Sequence, residues 1–147
     1  MTPTKDHISS AFDRDLEGIQ ARIMKMGGLV EQAILDAAQA LETRDLELAE
    51  QVRANDRVID ELEELLNEEA ARVIALRAPT AIDLRVILSV MRMSANLERI
   101  GDLAKNLAKR NAVLMTMPAI NGSAAQLRRM SRDVQIMLKD ALDAYIQ

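Results

Sequence analysis

A bundle of long antiparallel helices, an all-α fold, is what this sequence predicts, and three observations predict it. Across 147 residues only Phe12 and Tyr145 are aromatic, whereas strands favour aromatic and β-branched side chains. The chain is rich instead in Ala, Leu, Met, Glu, Arg and Gln, all good helix formers. Its apolar residues also recur at steps of three and four, the spacing of one face of a helix. With 49% apolar and 29% charged residues, the balance is that of a folded protein with length enough to bury a core.

The first element carries Ile8, Phe12, Leu16, Ile19, Ile23, Met26, Val30, Ile34, Ala37 and Leu41 on one stripe. Thirty-odd residues at about 1.5 Å each make a rod of roughly 50 Å. Gly27 and Gly28 interrupt it, at about 1 kcal/mol each relative to Ala, which points to a kink or a close helix contact. Thr43-Arg44 is a tight link, and Asp45 can N-cap the second helix. The second stripe is Leu48, Val52, Asn55, Ile59, Leu62, Leu66, Val73 and Leu76. Asn55, polar on an apolar stripe, suits a buried hydrogen bond that fixes register. Ala78-Pro79 stops this helix, because a residue before proline is pushed out of helical geometry.

Thr80-Ala-Ile-Asp83 has the form of a capping box. The third helix then carries Val86, Val90, Met93, Leu97, Ile100, Ala104 and Leu107, and ends before Pro118. A second apolar face on it runs through Leu84, Ile87, Leu88, Met91 and Ala95 toward Glu98 and Asp102. Lys105, Lys109 and Arg110 suit its C-terminal dipole. Three such helices on short links run up, down and up, since one amphipathic helix cannot hide its stripe alone.

Ser123-Ala-Ala-Gln126, a second capping box, opens a fourth stripe: Leu127, Met130, Val134, Met137, Leu138, Ala141, Leu142 and Tyr145. Shifted by 104 residues, these positions fall on Ile23, Met26, Val30, Ala33, Ile34, Ala37, Ala38 and Leu41. The expectation is a tandem repeat, with residues 1–117 as the first three-helix unit. Residues 118–147 are then a linker and the first helix of an incomplete second unit. The stripe of that fourth helix is expected to pack on another chain or to exchange with one.

Composition excludes several function classes. The net charge is −4 with acids and bases interleaved, so there is neither a basic stripe nor an aromatic surface for nucleic acid. The chain has no cysteine, hence no disulfide and no thiolate metal site. MTPTKDHISS lacks the apolar run of a secretory signal, and no apolar stretch nears the roughly 20 residues of a membrane span. The expected location is the cytoplasm, with at most peripheral membrane contact. No Glu-x-x-His pair, glycine-rich phosphate loop or nucleophile–histidine pair is present, so no catalysis is expected. His7, the sole histidine, is read as solvent-exposed, and most of the nine methionines as core filler.

The sharpest chemical candidates are two acidic pairs at i, i+4 spacing: Asp56 with Asp60, and Glu98 with Asp102. Residues four apart share a helix face, with Cβ atoms about 5–6 Å apart, and carboxylate oxygens suit hard cations. Such pairs are also common on solvated faces, where Arg57 and Arg99 stand ready as ion-pair partners. Glu98 and Asp102 end an apolar seam, and Gly101 permits close approach of another element. Partly covered carboxylates there call for a partner, whether metal, arginine or a second subunit. Asp83 and Arg85 are a candidate docking pair, although capping explains Asp83 equally well.

Three segments together resemble the PhoU family: Asp56-Arg-Val-Ile-Asp60, Arg77-Ala-Pro-Thr-Ala-Ile-Asp-Leu-Arg85, and Asn96-Leu-Glu-Arg-Ile-Gly-Asp102 with the following Leu-Ala-Lys-Asn106. Met24-Lys-Met-Gly-Gly-Leu-Val30 is similar too. The resemblance implies two tandem three-helix bundles, of which this chain lacks the last two helices. It implies metal ligands at Asp56, Asp60, Glu98 and Asp102, for iron, manganese, magnesium or zinc. It implies a non-enzymatic, negative regulator of the phosphate-starvation response and phosphate uptake. The partners so implied are a PhoR-type sensor histidine kinase, the ATPase of the Pst phosphate transporter, and a second copy of the chain in a dimer. The alternative is a helical oligomerisation module with no metal or signalling role.

Overall fold

The structure, a computed structural model, describes the backbone of residues 4–147 and side chains from Ser10 onward. The side-chain expectations for His7 and Ile8 lie outside the described residues. Four helices follow in order: α1 (Thr4–Thr43), α2 (Leu46–Arg77), α3 (Ala81–Leu114) and α4 (Ser123–Ile146). Helices α1, α2 and α3 each pack on the other two, whereas among the described residues α4 packs on α1 alone. Among the described residues, no helix is long and apolar enough to cross a membrane.

Local chemistry accounts for the turns, not always as expected. Asp45 N-caps α2 as read, its Oδ1 accepting the Leu48 N–H at 3.0 Å. Arg44 beside it takes a left-handed φ of 54°. Ala78 ends α2 where expected, in left-handed rather than extended geometry, its N–H donating to the Ile74 carbonyl at 3.1 Å. The box at Thr80 does not form. With Ala81 at φ 40° the first turn is irregular, and the Asp83 N–H donates to the Thr80 backbone carbonyl instead. Ser123 is likewise not a cap: Gly122 N-caps α4 at φ +81°, a conformation glycine adopts freely. The Ser123 hydroxyl donates backward to the Ile120 carbonyl at 2.7 Å.

The core forms where three stripes meet. Ile19, Ile23, Met26 and Val30 of α1, Ile59, Leu66 and Val73 of α2, and Ile87, Val90 and Leu97 of α3 are buried in one cluster. Toward the α1–α2 turn, Ala37, Ala40, Ala49, Val52, Ala104 and Ala108 form a second cluster, whose small side chains bring the helices close. Asn111 is fully buried above it, Nδ2 donating to the carbonyls of Ala40 and Asp45, each at 3.1 Å. Arg77–Asp15 (3.1 Å) and Arg22–Glu69 (2.9 Å) tie α2 to α1.

Several expected positions shift. Asn55 is exposed, and Asp56 beside it takes the buried place. One residue is a 100° turn of a helix, so a small error in phase moves a neighbour in and its predecessor out. Leu76 is exposed, as are Leu88 and Ala95 of the second α3 face; the buried row runs instead through Ile87, Val90, Ser94, Leu97, Gly101, Ala104 and Ala108. Lys105, Lys109 and Arg110 lie short of the last turn of α3, too far back to meet its dipole.

Helix α1 runs unbroken through Gly27 and Gly28, and only one of the two is needed for contact. A Cβ on Gly27 would stand 2.5 Å from Leu142 Cδ1, whereas one on Gly28 would meet open space. So the chain itself covers part of the fourth stripe: Leu138 and Leu142 are buried, while Met130, Val134 and Met137 stay exposed.

Candidate functional site

The two acidic pairs face one another across the α2–α3 contact, where Gly101 lets the backbones approach. A Cβ at Gly101 would lie 3.1 Å from Ile59 Cδ1 and 3.6 Å from Asp56 Oδ1. Asp56 is therefore drawn in, only 4% exposed. Its Oδ2 lies 3.2 Å from Lys105 Nζ, and its buried Oδ1 has no hydrogen-bond donor. Asp60, one turn on, is exposed, and Glu98 and Asp102 on α3 are half-buried.

The electrostatics show that these groups share a field. Partial burial raises the Asp60 carboxyl above its ordinary range, and the Asp56 charge adds to this. Lys105 and a hydrogen bond from Glu98 oppose the rise. Glu98 is raised as well, first by desolvation, then by the charges of Glu63, Asp60, Asp102 and Asp56. Glu63 belongs to the same patch, raised by desolvation and by Asp60. Carboxylates that disfavour their own charge gain most from a bound cation.

All four residues read as metal ligands thus lie on one face. Their donor chemistry suits a hard cation. Their positions do not yet form a cage, since no three acids among the described residues come together closely enough to hold one ion. The present counter-charge is internal. Lys105 serves Asp56, and Arg99 reaches Asp102 at 3.4 Å, where Asn106 also approaches to 3.5 Å. Arg57 turns away to Glu61 at 2.9 Å instead of serving its neighbouring pair.

The sequence does not mark Glu63 as part of the site, and it offers Lys105 only as a partner of the helix dipole. Glu63 sits in the acidic run Glu61-Leu-Glu63-Glu64 with nothing to distinguish it, and Lys105 faces Asp56 only once the helices dock. Asp83 and Arg85 are both exposed at the start of α3, away from the acidic face.

A family model, the PhoU domain, matches residues 23–110. The phosphate-specific transport system accessory protein PhoU homolog of Rhizobium meliloti (strain 1021) is 41% identical over 139 residues, covering 95% of this chain and 59% of the relative. The homolog from Zymomonas mobilis is 43% identical, with 95% and 58% covered. The Escherichia coli (strain K12) PhoU is 37% identical, with 95% and 57% covered.

The crystal structure of PhoU from Pseudomonas aeruginosa superposes with a TM-score of 0.87 at 38% identity, covering 92% of this chain and 65% of that one. The phosphate transport system regulatory protein PhoU from Streptococcus pneumoniae gives 0.81 at 31% identity, with 90% and 62% covered. This chain spans about three-fifths of the length of the curated relatives named here. The chain belongs to the PhoU family.

Proposed function

We propose that this chain acts as a non-enzymatic regulator of phosphate uptake and phosphate homeostasis in the cytoplasm, restraining the phosphate-starvation response through protein contacts. The observation that carries this reading is 41% identity across 95% of the chain to an accessory protein of phosphate-specific transport. The partners it implies are a PhoR-type sensor histidine kinase and the ATPase of the Pst phosphate transporter. Asp83 and Arg85, exposed where α3 begins, offer a docking pair. Helix α4 would open a second three-helix unit, in the 104-residue register that its stripe shares with α1.

Asp56, Asp60, Glu98 and Asp102 would hold a cation such as iron, manganese, magnesium or zinc. The orphaned Asp56 Oδ1 and the raised carboxyls of Asp60 and Glu98 support this reading. A bound cation would require these side chains to converge and Lys105 to give up Asp56.

Complementation tests the role. Expressed in bacteria lacking their own PhoU, the chain should silence a phosphate-starvation reporter in phosphate-rich medium. A reporter that stays on would overturn the regulatory reading. Elemental analysis of purified protein tests the metal, with Glu98→Ala and Asp102→Ala as controls; metal-free protein would remove that part alone.

A second reading has its own observation. Met130 (65% exposed) and Met137 (70%) leave an apolar strip on α4, as an oligomerisation module would. A dimer that survives loss of metal and does not silence the reporter would favour it.

A further inference from the structure

We propose that the groove between α1 and α4 is a binding site for a tetrahedral oxyanion carrying two negative charges, either free phosphate or the phosphate group of a small phosphomonoester. A cavity of about 530 Å³ opens there, lined from α1 by Gln39 and Glu42 and from α4 by Arg128, Ser131, Arg132 and Gln135. It lies on elements apart from the acidic face of α2 and α3, and stands independently of the role proposed above.

The polar side chains of the lining are mostly donors, set beside apolar Leu35 and Ala38 and the single acid Glu42. Arg128 and Arg132 are four apart on α4 and so project from one face, one turn from each other, where both line the groove. Arg132 meets no described partner. Arg128 is held by Glu42 through two bonds, Nε donating to Oε2 at 3.2 Å and Nη2 to Oε1. That pairing holds the Glu42 carboxyl below its ordinary range, so Glu42 stays charged and keeps Arg128 extended over the cavity. The Ser131 Oγ accepts from Gln135 Nε2 at 3.0 Å, which leaves its own proton free to donate. The Gln39 amide has no described partner.

Two guanidinium groups against one carboxylate leave the cavity locally positive on a chain whose net charge is −4. Planar, forked guanidinium groups match phosphate geometry, which a lysine cannot. Glu42 acts as the resident anion: an incoming dianion displaces it from Arg128 and gains Arg132 at the same time. The volume exceeds that of a bare phosphate, leaving room for the remainder of a small ester.

Calorimetric titration of the whole chain tests this, with inorganic phosphate and adenosine monophosphate as separate probes in chloride buffer of matched ionic strength. Saturable one-to-one binding of at least one probe is expected. Tighter binding of inorganic phosphate assigns the free ion, and tighter binding of the nucleotide assigns an ester. Arg132→Ala removes an exposed side chain, leaves the helical circular dichroism unchanged, and weakens binding at least tenfold. Arg132→Lys weakens it less, while Glu42→Gln frees Arg128 and strengthens it several-fold. No saturable binding of either probe, or equal affinity in Arg132→Ala, overturns the site. Neither outcome touches the reporter assay, which rests on kinship and partner contacts.

Discussion

Helices α1 to α3 and helix α4 are built from the same kind of stripe, yet they are held in different ways. Each of the first three is covered by at least two neighbours. Ile23, Leu66 and Ile87 are wholly buried. Helix α4 rests on α1 only, and of its stripe Leu138 and Leu142 alone are buried. The difference teaches that amphipathicity makes a helix, whereas the number of neighbours sets how firmly it is held.

The largest test of that contrast compares two aliphatic truncations. Ile23→Ala should lower the unfolding free energy by about 2–5 kcal/mol in urea titration. Leu142→Ala removes a similar group but should mainly release α4. Hydrogen exchange would then accelerate in α4 while α1 to α3 keep their protection. Equal global losses from both would break the comparison, showing one cooperative unit.

Asn111→Ala comes next. It leaves the carbonyls of Ala40 and Asp45 without their donor, which should cost about 1–3 kcal/mol by the same titration without freeing α4. Smaller still is the pair of glycines. Gly28→Ala should stabilise by about 1 kcal/mol through helix propensity, since its added Cβ meets open space. Gly27→Ala should lose that gain by pushing Leu142 off α1, and α4 protection with it.

The smallest effect is electrostatic and sharpens the view of the α2–α3 face. Glu98 and Asp60 titrate above their ordinary ranges in the fold, so the folded state binds their protons more tightly than the unfolded chain does. Stability from this source therefore rises as pH falls from neutral through the raised carboxyl range, and levels off below the ordinary values, 4.5 for Glu98 and 3.8 for Asp60. At pH 7 and low salt, Glu98→Gln should stabilise by about 0.5 kcal/mol. A melting series against pH should show that advantage fading on acidification; an advantage that persists in acid would assign it to packing instead.

Much of the fold is legible in the sequence because periodicity at three and four is a one-dimensional record of a helix face. The four rods, the stop at Ala78-Pro79 and the cap at Asp45 follow from that record and from local backbone chemistry. The site is only half legible. The carboxylates at Asp56, Asp60, Glu98 and Asp102 stand out by spacing, but Glu63 is lost in an acidic run. The pairings of Lys105 and Asn111 are illegible for another reason: their partners, Asp56 and the Ala40 and Asp45 carbonyls, are 49 or more residues away.

By itself, then, the sequence determined the class of fold, the length and order of its helices, and the residues from which an acidic site could be made. Only the tertiary structure decided which of two adjacent polar residues, Asn55 or Asp56, turns inward, which glycine of Gly27-Gly28 receives a neighbour, and which cation meets which acid. The physical reason is that a stripe specifies a face to within about a residue. The docked backbones, brought close at Gly27 and Gly101 where no Cβ intervenes, select the last 100° of rotation.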